Sequence, residues 1–158
     1  MNLYNNYREN EDEPKVLGVI YALPRNVLNR ILNKKKSIFV KYMPFEPTKK
    51  SKIKLHEGIK LYLYETKANK EILGEAIVDK ILFYNFQEII SRCDDQLMLT
   101  NKELKDYCRN RYEKKAMLFM LKNIQKYNQP IKIDTNITMG GLYVTEDNIT
   151  KLNLQVVS

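Results

Sequence analysis

The chain has 158 residues, is 44% hydrophobic and carries a formal net charge of +8. This length and hydrophobic content predict one domain with a single core, and no apolar run approaches the ~18 residues of a membrane span. Fourteen residues separate the two cysteines, Cys93 and Cys108, which are predicted to be reduced thiols, and His56 is the single histidine. These residues are too few for a Cys/His zinc site, so we expect no metal and no cofactor.

The positive charge is concentrated in one part of the chain. Between Arg25 and Lys60 there are eleven lysines and arginines but two glutamates, which gives this stretch a charge of +9. A local excess of this size predicts a polyanionic partner, either nucleic acid or an anionic membrane surface, although lysine-rich surfaces also arise from codon usage or thermal adaptation. The first twenty residues lack the hydrophobic segment of a secretory signal, so we expect a cytoplasmic protein with no membrane partner.

The sequence of the N-terminal third predicts a tail followed by a strand, a helix and a second strand. Residues 1–14 are polar and are interpreted as a tail, and the single domain is expected to span residues 15–158. The apolar run 16–22 predicts a buried strand, and Pro24 is a favourable first-turn residue for the helix that follows. One apolar stripe along that helix is formed by Val27, Leu28, Ile31 and Leu32. The second strand is expected at 37–42, with Phe39 and Lys41 on one face.

A hairpin is expected at the centre of the chain, after a proline- and lysine-rich loop at 44–54. Leucines and tyrosines alternate from Lys60 to Glu65, which is typical of a strand with two different faces. Residues 67–70 supply a polar turn, and 72–81 is expected to be the returning strand. The isolated Gly74 in that strand indicates a bulge, a sharp bend or the close approach of another backbone.

The C-terminal half contains one clear helix start and one ambiguous segment. Residues 82–86 are interpreted as an aromatic corner, and 87–93 as a short helix that buries Ile89 and Ile90. Thr100 and Glu103 have the spacing of a capping box, which predicts a helix to about residue 111. Residues 115–124 fit either a helix or a buried strand. An extended region from Pro130, a Gly140–Gly141 turn, a strand at 142–144 and an edge strand at 151–158 complete the prediction.

Residues 31–41, ILNKKKSIFVK, resemble a degenerate copy of the motif that the ASCH group of PUA-like domains carries after its first helix. Lys36 matches the motif lysine, Lys34 replaces a glycine, Phe39 replaces a glutamate and Lys41 replaces an arginine. The chain resembles still more closely a small archaeal PUA-like family of unknown function within this ASCH- and EVE-related superfamily. That likeness depends on residues 17–24, 39–41, 73–76 and 140–143.

The resemblance covers roughly residues 15–145 and implies an α+β fold, a PUA-like mixed β pseudo-barrel with short flanking helices. It favours a strand at 115–124. It also implies a cleft between the first helix and the mouth of the barrel that receives a base or nucleotide, since relatives mostly bind RNA or modified bases. Some ASCH members resemble hydrolases of modified nucleosides that need a lysine and a glutamate together. Phe39 in the glutamate position argues against that route here.

The predicted binding site combines cations for phosphates, aromatic rings for stacking and one carboxylate for a base amino group. Its members are Arg25, Arg30, Lys34, Lys36, Phe39, Lys41, Tyr62, Tyr64 and Glu75. Each kind of residue also has a structural interpretation. The lysines and arginines can be solvated surface charges, the aromatic rings can simply pack against neighbouring side chains, and Glu75 can form a structural salt bridge. The resulting hypothesis is a domain that binds RNA or a nucleotide through a basic, aromatic-lined cleft and has no catalytic residues. The alternatives are a nucleoside hydrolase that uses Lys36 with Glu75 or Glu65, and a protein-interaction domain.

Overall fold

The computed structural model describes residues 15–42, 55–93 and 95–154, and these ranges form a sheet with flanking helices. The strands are β1 (Val16–Leu23), β2 (Ile38–Lys41), β3 (Lys60–Glu65), β4 (Glu71–Tyr84), β5 (Ala116–Lys132) and β6 (Leu142–Thr145). The helices are α1 (Arg25–Leu32), α2 (Phe86–Arg92) and α3 (Asn101–Tyr107). The predictions of a tail at 1–14, a loop at 44–54 and an edge strand beyond 154 lie outside the described residues.

The six strands form one mixed sheet in the order β2-β5-β4-β3-β1-β6. β1 and β3 are parallel, and the other neighbouring pairs are antiparallel. The predicted α+β, PUA-like class is confirmed. Within the described ranges β2 and β6 are the edge strands, so the sheet that these residues form is open rather than closed.

The predicted central hairpin is present, with β3 at the expected bounds and β4 three residues longer than expected at its C-terminal end. Residues 82–84, interpreted above as an aromatic corner, continue β4 and pair with β5. Gly74 lies beside an irregularity in the pairing of β4 with β5, and a Cβ there would clash with the Gln125 carbonyl and the Leu32 side chain. Gly74 is therefore required by a close approach of α1 and β5, which was one of the expected reasons for it.

The ambiguous segment is a strand. β5 begins at Ala116 and continues to Lys132, so that it absorbs the region predicted to start a separate extended segment at Pro130. It pairs with β2 on one side and β4 on the other. This pairing and the burial of its first four residues override the helical propensity of its Met and Leu residues.

The helices begin where side-chain caps satisfy their free amides. Thr100 and Glu103 form the predicted capping box of α3, which ends at Tyr107 rather than near 111. Asn85 and Glu88 form a second capping box, on α2, that the sequence analysis did not identify. Burial of Ile90 was a wrong prediction, because its side chain is 43% exposed. Residues 151–153 form a turn rather than the start of an edge strand.

The sheet has two differently packed faces, and β3 shows the division most clearly. Leu61 and Leu63 belong to the larger core cluster, which also contains the buried stripe of α1 and the side chains of β2. Tyr62 and Tyr64 point to the opposite face and pack in a smaller cluster with Ile72 and Val144. The alternation that predicted the strand therefore separates leucines and tyrosines onto different sides of the sheet.

Candidate functional site

A cavity of about 610 Å³ lies where the end of β1, the start of α1, β2 and α3 meet. Most of its wall is apolar, and its polar groups are few. We call it the Lys41 pocket. Its lining includes Tyr21, Asn26, Phe39, Lys41, Thr66, Met98, Glu103, Asp106, Tyr107, Ile137 and Met139. Ligand sites in proteins typically have this volume and this combination of an apolar wall with a small number of polar groups.

Lys41 is the cation of this pocket. It is half-buried at the end of β2, and its Nζ lies 5.0 Å from the centre of the Tyr21 ring. Burial lowers the pKa of Lys41, and the positive charge of Arg111 lowers it further. Within the described ranges, no carboxylate forms an ion pair with Lys41. A charge that is partly removed from water without a partner is costly, and an anionic or strongly polar ligand would offset that cost.

The floor of the Lys41 pocket is an aromatic stack. Tyr21 and Phe39 lie with their ring centres 5.1 Å apart, and Phe39 and Phe119 with theirs 5.3 Å apart. All three side chains are almost completely buried, and burial raises the pKa of Tyr21 well above its usual range. The rings therefore form a rigid base on which Lys41 is held.

The wall on the α3 side is fixed by a second group of aromatic contacts. The Tyr107 hydroxyl accepts a hydrogen bond of 3.0 Å from the backbone N–H of Tyr42. The guanidinium of Arg111 lies 4.3 Å from the Tyr42 ring centre and 4.8 Å from that of Tyr107. The Tyr42 hydroxyl donates to Cys108 Sγ at 3.1 Å. These contacts join the end of β2 to the end of α3, so the residues that flank Lys41 have fixed positions.

A family model described as "Domain of unknown function (DUF365)" matches residues 16–146. The chain belongs to the DUF365 family. It is also 29% identical over 104 residues to the uncharacterized protein MJECS03 of Methanocaldococcus jannaschii, an alignment that covers 60% of this chain and 96% of that protein.

Two sets of solved structures resemble this DUF365 domain. The ASCH protein of Zymomonas mobilis has a TM-score of 0.70 at 18% identity and covers 87% of this chain and 94% of its own. The N-terminal domain of McrB from Staphylothermus marinus has a TM-score of 0.53 at 16% identity, and covers 88% of this chain and 96% of its own. The fold is PUA-like and resembles that of the ASCH protein, as the motif at residues 31–41 implied.

Two of the nine predicted site residues, Phe39 and Lys41, line the Lys41 pocket. Arg30 supports its wall, because its Nη1 donates to the Met98 carbonyl at 2.8 Å and to Glu103 at 2.6 Å. The hydrogen bond from Arg30 lowers the pKa of Glu103. Arg25 is exposed beside the same end of β1, where its Nε donates to Glu65 at 2.5 Å.

Lys34 and Lys36 follow α1 but do not line the Lys41 pocket. Lys34 is exposed and has a φ of +62° just after the helix. Lys36 donates to the backbone carbonyl of Asp95, and lines a separate cavity of about 380 Å³ next to α2 and α3. These two lysines therefore contribute to the positive surface around α1 rather than to the pocket itself.

Tyr62, Tyr64 and Glu75 lie on the other face of the sheet. The two rings are 3% and 5% exposed, so their faces are occupied by packing, as is that of Phe39. Burial and, to a smaller extent, the charge of Glu75 raise the pKa of Tyr62 to about 12. Glu75 accepts a hydrogen bond of 2.7 Å from the Tyr127 hydroxyl and pairs with Lys60 at 2.8 Å.

The lysine–glutamate pairs considered for a hydrolase are not assembled. Lys36 contacts Asp95, Glu75 contacts Lys60, and Glu65 contacts Arg25. No group of three or more metal-ligating side chains occurs within the part of the chain that the structure describes. No helix there is long and apolar enough to cross a bilayer.

Most of the residues that line the pocket were not predicted from the sequence, among them Tyr21, Asp106, Tyr107 and Met139. Tyr21 had a recognisable signal, since it is the one side chain with a polar tip in the apolar run 16–22. Asp106, Tyr107 and Met139 lie far along the chain from β2. Only the packing of α3 and of the 133–141 loop brings them to the pocket.

Proposed function

We propose that this DUF365 domain binds RNA or a nucleotide and holds one base in the Lys41 pocket, with Lys41 directed to a phosphate or to an acceptor atom of the base. The observation that carries this proposal is the half-buried Lys41, which lies over the Tyr21 ring in an apolar cavity and has no carboxylate partner in the described ranges. Its charge is thus available to a ligand.

The size and lining of the pocket support a base as the ligand. A volume of about 610 Å³ is enough for a base with its ribose and phosphate. Proteins recognise unpaired bases by apolar or aromatic contacts to the flat faces and by hydrogen bonds to the edges. The half-buried Tyr107 supplies an aromatic contact, and Asn26, Thr66 and Asp106 supply polar groups for an edge.

The charge around the pocket supports a polyanion. Lys34, Lys35 and Lys36 lie at the end of α1, and the whole chain carries +8. Contacts of lysines and arginines with phosphates supply most of the affinity that does not depend on base sequence. The PUA-like fold agrees with the resemblance to domains that mostly bind RNA or modified bases.

The proposal is tested by measuring binding of labelled single-stranded RNA, duplex RNA, DNA and the common ribonucleoside monophosphates from about 50 to about 300 mM salt. We expect affinity for nucleic acid to fall steeply with salt. Lys41→Met removes the charge and keeps the chain length, and we expect it to weaken binding about 10- to 100-fold, the usual effect of losing a charge-assisted hydrogen bond.

The matched control is Lys126→Met, which removes an exposed lysine of β5 that does not line the pocket. It should change the affinity for a mononucleotide less than twofold. Lys36→Glu distinguishes the contribution of the pocket from that of the surrounding positive surface. It should weaken RNA binding at low salt but leave mononucleotide binding nearly unchanged. Absence of binding to all of these probes at low salt would overturn the proposal.

A further inference from the structure

The loop that follows β5 combines a firm attachment with a free apolar tip. The Ile133 N–H donates to the Lys70 carbonyl at 2.9 Å, and the Ile133 side chain is buried. Ile137 is half-buried against the smaller core cluster and lines the Lys41 pocket. Met139 also lines the pocket, yet it is 83% exposed. The loop is thus fixed near the sheet, while its methionine extends to the pocket with little contact.

Two glycines follow Met139 and differ in their surroundings. Gly141 has a φ of +78°, and a Cβ there would lie 2.5 Å from the Tyr21 ring, so its backbone rests against the floor of the pocket. A Cβ at Gly140 would meet one atom, the Thr138 hydroxyl oxygen at 3.9 Å. The close contact of Gly141 with Tyr21 therefore holds the end of the loop against the pocket, whereas Gly140 borders open space.

Met139 stands out from the other apolar side chains at the surface. The other large hydrophobic residues exposed in the described ranges are Ile90 at 43% and Tyr112 at 40%. Burial of an exposed methionine against a ligand removes apolar surface from water and therefore favours binding. The methionine side chain is flexible and polarizable, which suits it to contact with a flat ring.

We infer that Met139 covers the exposed face of the base that the Lys41 pocket holds, which makes it a ligand-contact residue and restricts the ligand to an unpaired base. This inference rests on the proposed function. A base within a duplex has both faces stacked on its neighbours and leaves no face for Met139. Free nucleotides and single-stranded RNA are therefore ligands of this site, and duplex RNA binds only to the positive surface outside it.

The test uses the full chain with ¹³C-methyl methionine, titrated with the common ribonucleoside monophosphates, single-stranded RNA and duplex RNA. The chain has six methionines, and the signal that disappears in Met139→Ala identifies the Met139 methyl group. We expect this signal to move upfield on addition of a mononucleotide or single-stranded RNA, because it enters the ring current of the base. Duplex RNA should leave it in place.

Affinity provides the second readout. We expect Met139→Ala to weaken mononucleotide binding about 5- to 10-fold, Met139→Leu to remain within about twofold of wild type, and thermal unfolding of both variants to be unchanged. Ile90→Ala is the matched control, since it truncates an exposed apolar side chain away from the pocket. It should not affect affinity.

The results separate the inference from the proposed function. If binding depends on Lys41 but the Met139 signal does not move and Met139→Ala binds like wild type, the inference is overturned and the proposed function stands. An upfield shift with duplex RNA equal to that with single-stranded RNA would overturn the restriction to unpaired bases. If the wild-type protein binds none of the probes, the proposed function is wrong and the inference falls with it.

Discussion

Each face of the sheet carries a partly buried charged side chain, and the surroundings of these two side chains differ. On one face, Glu75 contacts both the Lys60 ammonium and the Tyr127 hydroxyl, and the side chains fill the space around it. On the other face, Lys41 borders a cavity of about 610 Å³ and has an aromatic ring, but no carboxylate of the described ranges, as its neighbour. The first charge is paired within the protein, whereas the second borders an open cavity.

This difference shows why charged and aromatic residues alone are a poor guide to a binding site. Tyr62, Tyr64 and Glu75 looked as suitable as Phe39 and Lys41 in the sequence, and all five were expected to line one cleft. Buried polar groups normally find partners inside the protein. The informative residue is therefore Lys41, which has no carboxylate partner in the described ranges and borders an open space.

The largest expected effect on stability is at the face of the sheet that carries Glu75. Glu75→Ala leaves Lys60 and the Tyr127 hydroxyl without their acceptor, and we expect it to lower the free energy of unfolding by about 2–4 kcal/mol. Urea denaturation measures this. Asp79→Ala removes the exposed ion pair with Lys122 and should cost less than about 1 kcal/mol. Mononucleotide affinity should be unchanged in folded Glu75→Ala; a large loss of affinity with little loss of stability would move the site to this face.

The next effect belongs to the floor of the Lys41 pocket. Gly141→Ala introduces a Cβ at a φ of +78° and at 2.5 Å from the Tyr21 ring, so we expect a loss of about 1–3 kcal/mol. Gly140→Ala, the neighbouring control, meets open space and should stay within about 0.5 kcal/mol of wild type. Thermal or urea unfolding distinguishes them, and equal stability of the two variants would contradict the close contact of this loop with the pocket.

Lys41→Met should raise stability while it weakens binding. The pKa of Lys41 is lower in the folded protein than in the unfolded chain, so the unfolded chain holds this proton more strongly and the charge disfavours folding at neutral pH. We expect a gain of about 0.5–1 kcal/mol, typical of removing a strained functional group. The gain should shrink as pH rises through the folded pKa of Lys41. A loss of stability would show that its charge is already compensated.

The smallest effect is on the pH dependence of affinity. Lys41 is charged below its pKa, so binding of a nucleotide phosphate should weaken as pH rises through that value. Because burial and Arg111 lower this pKa, the weakening should begin below the pH expected for a surface lysine, whose ordinary pKa is about 10.4. Isothermal titration across pH measures it. Lys41→Arg keeps its charge and should show no such fall; an identical fall in that variant would assign the titration to another group.

Local sequence patterns were sufficient for most of the elements. The apolar run of β1, the apolar stripe of α1, the alternation in β3 and the capping box of α3 each depend on residues that are neighbours in the chain. The patterns were less informative where contacts between distant segments determine the ends of a strand. Residues 82–84 form part of β4, and residues 130–132 part of β5, because those two strands pair along this length.

The sequence by itself determined the α+β class, the likeness to PUA-like domains and a positive charge concentrated between residues 25 and 60, since motifs, periodicity and composition are properties of the chain. Tertiary structure alone decided which of the candidate residues share a cavity. The pleat of β3 sends its tyrosines away from Lys41, whereas the packing of α3 and of the loop after β5 brings Tyr107 and Met139 next to it. A binding site depends on the directions of side chains from segments far apart in sequence, and these directions are fixed only when the sheet is assembled.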